Sequence, residues 1–137
     1  MKNYKNLNPT KKEITTLLKS ARDRIKSAKI LLKEDQYRDA ISRSYYAFLD
    51  AAKALLLTKG KTAKTHEGVL ISLGLEFGKN KEISSEFFGL YKKVKRAREE
   101  ADYEFLRKFS KVETEEAIKM AEKFVSFIEE KIKNSNS

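Results

Sequence analysis

Cysteine is absent from this chain, so neither a disulfide nor a thiolate metal site can form. A single histidine, His66, leaves no pair of imidazoles to hold a metal, and no metal or other cofactor is expected. The one proline, Pro9, lies near the N-terminus, where it suits a helix entrance and interrupts nothing later. Valine is scarce, and no segment alternates apolar and polar residues over the length of a strand. Long apolar runs are missing as well. None approaches the ~20 residues that a membrane span needs, and the Lys-rich N-terminus has no apolar stretch of the kind a leader carries. These absences predict a cytoplasmic protein in a reducing compartment.

Charge is unbalanced. The chain of 137 residues carries a formal net charge of +10, with 36% of its residues charged. A surplus of that size favours polyanionic partners such as RNA, DNA or an acidic protein. Both signs are interspersed along every segment, which is also how lysine and glutamate solvate helix faces. The length predicts one domain, at 10–133, between a polar arm at 1–9 and a frayed end at 134–137.

The residues that are present repeat with helical spacing. In the stretch 37–59, Tyr37, Ala40, Ile41, Tyr45, Phe48, Ala52, Leu55 and Leu56 recur at steps of three and four. Ala47, Ala51 and Ala54 widen the stripe and are small enough for neighbouring helices to approach, while Arg43, Asp50 and Lys53 lie off its greasiest line. Gly60 follows as a C-terminal residue tolerant of positive φ. The pattern predicts a central helix. An amphipathic helix over 10–34 precedes it, and the short break between the two makes them antiparallel. A third helix at 66–77 is capped by Thr65, and a fourth spans 82–103. A fifth begins after Ser110, in an S-x-x-E box with Glu113, or after Thr114. The fold class is therefore all-α, a five-helix up-and-down bundle.

Gly60-Lys61-Thr62 looks like the end of a phosphate-binding loop, but Leu55 stands where that motif needs glycine and a helix precedes it, not a strand. His66 at a helix start reads first as a partly buried side chain hydrogen-bonded to a loop, and second as part of a polar pocket. The densest polar cluster is KKVKRAREEADY, from Lys92 to Tyr103. Its lysines and arginines suit phosphates, and Tyr91 and Tyr103 could stack on bases. The bland alternative is a solvated basic face. Glu99, Glu100 and Asp102 follow at once, a poor arrangement for the helix dipole that invites pairing with an arginine such as Arg43.

Four blocks in order resemble the HEPN superfamily, in its small single-domain archaeal and bacterial branch: AKILLKEDQYRDAISRSYYAFLDAAKALL, KTHEGV, the R-x-x-ADY element at Arg98 to Tyr103, and EEAIKMAEKFVSFI. The resemblance implies a bundle that dimerises through the central and fourth helices, with relatives acting beside a minimal nucleotidyltransferase as toxin–antitoxin pairs. It also implies that active members are metal-independent ribonucleases with an R-x(4–6)-H motif. This chain departs from that motif. Five places after Arg98 comes Tyr103, and six after Arg96 comes Asp102. Aspartate near 3.9 and tyrosine near 10 are poorly matched to proton transfer at neutral pH, where histidine at about 6.5 is apt.

The expectation is thus a homodimeric nucleotide- or RNA-binding and interaction module, with Arg43, Arg96, Arg98, Asp102 and Tyr103 lining its cleft and a minimal nucleotidyltransferase as partner. Arg98 would grip phosphate, Asp102 orient an arginine and Tyr103 stack or hydrogen-bond. The rival expectation is an endoribonuclease in which Arg98 acts with Tyr103 or His66.

Overall fold

In the computed structural model, which describes residues 9–135, the order of elements is α1 (Pro9–Lys33), α2 (Tyr37–Leu57), α3 (His66–Leu73), a π-helical turn (Gly74–Gly78), α4 (Ser85–Tyr103) and α5 (Lys111–Ser135). No strand occurs among the described residues, so the all-α five-helix reading stands. The expected arm at 1–9 lies outside the described residues except for Pro9, which opens α1. At the other end, α5 continues past 133 to Ser135.

The central position of α2 follows from its side chains. It packs against α1, α3, α4 and α5. Ala47, Ala51 and Ala54 are fully buried, as are Ala21 and Ala28 on α1, so nothing bulky holds these two helices apart. Larger residues fill the other side of α2. The Phe48 ring lies 4.7 Å from Phe124 of α5 and 5.3 Å from Tyr91 of α4, and Phe87 stacks on Phe127 at 4.3 Å. Phe48, Phe124 and Tyr91 are fully buried, and each such ring contributes on the order of 1.5–3 kcal/mol. With four helices around it, α2 stays open along a strip in its first half, where Asp39 and Arg43 are exposed and Ser42 and Tyr46 half-buried, and at Lys53 and Leu57 near its end.

Asp50 differs from its expected place off the apolar line. It is buried against α1, where Ser20 Oγ donates to Oδ2 at 2.7 Å and Arg24 Nε at 3.3 Å. Periodicity places a residue on a helix but does not say that a neighbour will bring the matching cation.

Helix ends follow local chemistry. Gly60 has φ of 69°. Thr65 Oγ1 accepts from Gly68 N at 2.9 Å and caps α3. A Cβ on Gly68 would sit 2.9 Å from that same oxygen, which is why glycine occupies the position. Ser110 and Glu113 exchange two hydrogen bonds of 3.0 Å, the capping box expected for α5. Two boundaries shift by three residues or more. The third helix passes into the π turn after Leu73, and α4 starts at Ser85, not at 82. Ile83 is buried and its N–H reaches Phe77 O at 2.9 Å, so the preceding segment is a turn pinned to the core.

The last turn of α4 contains no basic residue. Its carbonyls are met instead from α2. Arg38 donates to the Ala101 and Arg107 carbonyls, with longer contacts to Glu104 O at 3.4 Å and Phe105 O at 3.5 Å. Arg107 completes this collar, lying 4.1 Å over the Phe109 ring and bonding both carboxylate oxygens of Glu113. That pairing holds the Glu113 pKa down at about 2.

Candidate functional site

Tyr45 and Tyr46 are consecutive on α2, so they leave the helix about 100° apart. Tyr45 turns inward and is fully buried, and its hydroxyl has no hydrogen-bond partner among the described residues. Tyr46 stays half-buried at the junction of α1, α2, α3 and α4. His66, the first residue of α3, is aimed at the same place by the Thr65 cap. Its ring lies 5.7 Å from Tyr45 and 5.9 Å from Tyr46.

From α4, Arg98 spreads over both tyrosines, with Cζ 5.4 Å from the Tyr45 ring and 5.7 Å from the Tyr46 ring. Its Nη2 donates to Tyr46 Oη at 3.3 Å. Its Nε lies 2.9 Å from Asp102 Oδ2, but the N–H is not aimed along that line, so the contact is Coulombic. From α1, Arg24 comes within 5.3 Å of the Tyr46 ring while Asp50 holds its Nε. Lys95, a turn before Arg98, bonds Glu67 at 3.2 Å and Glu99 at 2.8 Å. Two guanidinium groups and an imidazole thus surround one half-exposed phenol.

The electrostatics follow from that crowding. Burial lowers the His66 pKa from its ordinary 6.5, and the charges of Arg98, Lys53 and Lys95 lower it further. His66 is therefore neutral at pH 7, with a lone pair available to accept a proton. Burial opposes the Arg98 charge, but Asp102 and the Tyr46 hydroxyl outweigh it, so its pKa rises above the usual arginine value. Burial raises the Tyr45 phenol, which stays protonated at neutral pH.

The residues singled out in the sequence fall into two groups. Arg98, Asp102 and His66 come together, and Arg43 stands one turn before Tyr46 on the same flank of α2, exposed and without an ion pair among the described residues. Arg96 points elsewhere, its side chain 83% exposed beside Glu100 at 3.8 Å. Tyr103 is 74% exposed at the end of α4, about 140° around the helix from Arg98. Arg43 does not pair with the acids at the end of α4. Asp102 meets Arg98, Glu99 meets Lys95, and Glu100 meets Arg107 at 3.5 Å. Arg98 and Lys95 stand four places before their acids on α4 and are already within reach, and Arg107 follows just beyond the end of that helix, so none of these acids is left for Arg43. Sequence reasoning passed over Tyr46 and Arg24. The signal for both was a polar or charged residue flanked by apolar-stripe positions, Tyr46 next to Tyr45 and Arg24 between Ala21 and Ile25.

Comparison with known proteins gives this arrangement a context. The HEPN domain family matches residues 14–131. The chain belongs to the HEPN family. A protein from Methanocaldococcus jannaschii named "Putative toxin MJ0605" is 38% identical to this HEPN chain, over 90% of it and 91% of that protein. A UPF0332 protein from Thermotoga maritima is 33% identical over 93% of this chain and 97% of its own. Among solved structures, TT1696 from Thermus thermophilus matches with a TM-score of 0.73, covering 86% of this chain and 97% of that one at 23% identity, which shows a shared fold. No helix among the described residues of this HEPN domain is long and apolar enough to cross a membrane.

Proposed function

We propose that this HEPN chain binds an RNA or nucleotide phosphate at Arg98 and serves as the toxin-type half of a two-protein module. The observation that carries the proposal is the Arg98 guanidinium packed over Tyr45 and Tyr46 beside His66. A fixed guanidinium offers a phosphate paired N–H donors, and an adjacent half-exposed phenol offers a base a surface to stack on. The name of the Methanocaldococcus jannaschii relative supports the toxin side of the reading. The minimal nucleotidyltransferase partner and the homodimer belong to the same proposal. The strip of Arg43 and Tyr46 is the part of α2 that lies open beside Arg98 of α4, and it is where a dimer through these two helices would meet the candidate site.

A second reading, metal-independent RNA cleavage, gains from one specific fact. His66 reaches the Arg98 cluster from α3, although no histidine follows Arg98 along α4. Neutral His66 would take the proton of a ribose 2′-hydroxyl as that oxygen attacks phosphorus. Arg98 would hold the charge that builds on the phosphoryl oxygens. The 5′-oxygen would leave with a proton from water, giving a 2′,3′-cyclic phosphate and a 5′-hydroxyl.

The test is labelled single-stranded RNA with EDTA present, measured for binding and for cleavage. Binding that Arg98→Ala weakens supports the first reading. Cyclic-phosphate ends that vanish in both His66→Gln and Arg98→Ala move the protein to the second. Wild-type protein that neither binds nor cuts removes both. Co-purification with a co-expressed nucleotidyltransferase, and the mass in solution, test the partner and the dimer.

A further inference from the structure

On α2, Tyr46, Asp50, Lys53 and Leu57 fall at successive steps of four, three and four, so they form one stripe along the helix. At its far end the stripe opens into a cavity of about 670 Å³ between the start of α1, the end of α2 and the loop before α3. Leu56 and Ala63 are among its apolar lining, and Lys12, Lys53 and Lys61 line it from three different segments, with Glu13 as the only carboxylate among the described residues. None of the three lysines has a salt bridge among the described residues, so their charges are available to a ligand in the hollow. Lys53 belongs to both places, because it lines the cavity and its charge also reaches His66.

An apolar hollow with unpaired cations on its wall suits a flat, weakly polar ring attached to phosphate. It suits neither a purely apolar ligand, which would leave the lysines idle, nor a free inorganic anion, which would leave the hollow empty. The seven steps from Tyr46 to Lys53 span roughly 10 Å of helix axis, so a chain gripped at Arg98 needs further length to reach Lys12 and Lys61. We infer that this cavity is a second nucleotide subsite, taking the base and flanking phosphates of a single-stranded RNA whose neighbouring phosphate lies at Arg98. The inference rests on the binding reading above and deepens it. The ligand is an RNA strand several nucleotides long, reaching from Arg98 past Lys53 to the cavity at the end of α2.

Fluorescence anisotropy with a labelled dinucleotide and a labelled octanucleotide of single-stranded RNA separates the two sites. The wild-type chain should bind the octanucleotide at least about ten-fold more tightly than the dinucleotide. The double variant Lys12→Gln, Lys61→Gln should lose most of that gain and leave dinucleotide binding unchanged. Its log–log salt slope should become shallower by about 1.4, from ~0.7 per single-strand phosphate contact. Ala63→Trp, which fills the hollow from the loop, should act on the octanucleotide alone, with circular dichroism checking that each variant is folded. Equal binding of both lengths, or indifference to the lysine changes while Arg98→Ala still weakens the dinucleotide, overturns the subsite and leaves the Arg98 reading in place. A nucleoside triphosphate that displaces the octanucleotide through the lysines alone also overturns it, because the cavity then serves a free nucleotide. Failure of the wild type to bind either length removes both readings.

Discussion

Phe48 and Tyr46 leave the same helix within one turn, and they enter two aromatic clusters built on opposite principles. Around Phe48 the neighbours are Phe124 and Tyr91, uncharged and fully buried, with ring separations of 4.7 and 5.3 Å. Around Tyr46 they are His66, Arg24 and Arg98, half-exposed and cationic or able to become so. The first cluster gains by excluding water from every face. The second gathers like charges, and each is offset separately: Arg24 by Asp50, Arg98 by Asp102, Lys95 by Glu67 and Glu99. One is finished; the other has cations held in place at an open edge. Stability should therefore reside in the first and binding in the second, and substitutions can test that division.

The largest effect is expected from Phe124→Ala, which removes the ring stacked on Phe48. It should cost about 3–5 kcal/mol in chemical denaturation, while the RNA affinity of the fraction that remains folded stays as in the wild type. A matching loss of affinity would mean that the two clusters are not separable. Arg98→Ala is the mirror experiment. It should weaken RNA at least about ten-fold, ~1.4 kcal/mol, and shift the unfolding free energy by less than ~1 kcal/mol, since its ion pair with Asp102 is partly open to solvent. A larger stability loss would make Arg98 a structural residue. Tyr46→Phe keeps the ring and removes the acceptor for Arg98 Nη2. A change of ~0.5–1.5 kcal/mol is the usual scale for one hydrogen bond, so affinity should fall only a few-fold in the same anisotropy assay.

The smallest effect is electrostatic and specific to the open cluster. Burial, then Arg98, Lys53 and Lys95, hold the His66 pKa below 6.5. Between that lowered value and 6.5 the unfolded chain binds more protons than the folded one, so folding stability should rise with pH through this window and level off above it. An NMR titration of the His66 ring should give a midpoint below 6.5, moving up in Arg98→Ala. His66→Phe should abolish this part of the pH dependence. A midpoint at or above 6.5 would show that the cations do not act on the imidazole.

How far the sequence anticipated these clusters depends on the range of the interaction. Short-range chemistry was legible: the helical stripes, the positive φ at Gly60, the Thr65 cap and the Ser110–Glu113 box all depend on residues within one turn of one another. The blocks from the first helix to the last were enough to indicate the HEPN family. What could not be read was which side chains meet across elements. Asp50 finding Ser20 and Arg24, and His66 arriving beside the tyrosines that Arg98 covers, join segments of the chain through tertiary packing that periodicity does not encode. The π turn at Gly74–Gly78 escaped for a related reason, since glycine there signals a weak helix but not how the weakness is resolved.

The Arg38 collar has a mechanical corollary. A side chain from near the start of α2 latches the tail of α4, so sliding either helix lengthwise requires breaking several carbonyl contacts together. The latch sits only one turn beyond Arg98, and it fixes how far along α2 that guanidinium can travel. Arg38→Lys would satisfy fewer of those carbonyls, and faster amide exchange at residues 98–103 would register the slack.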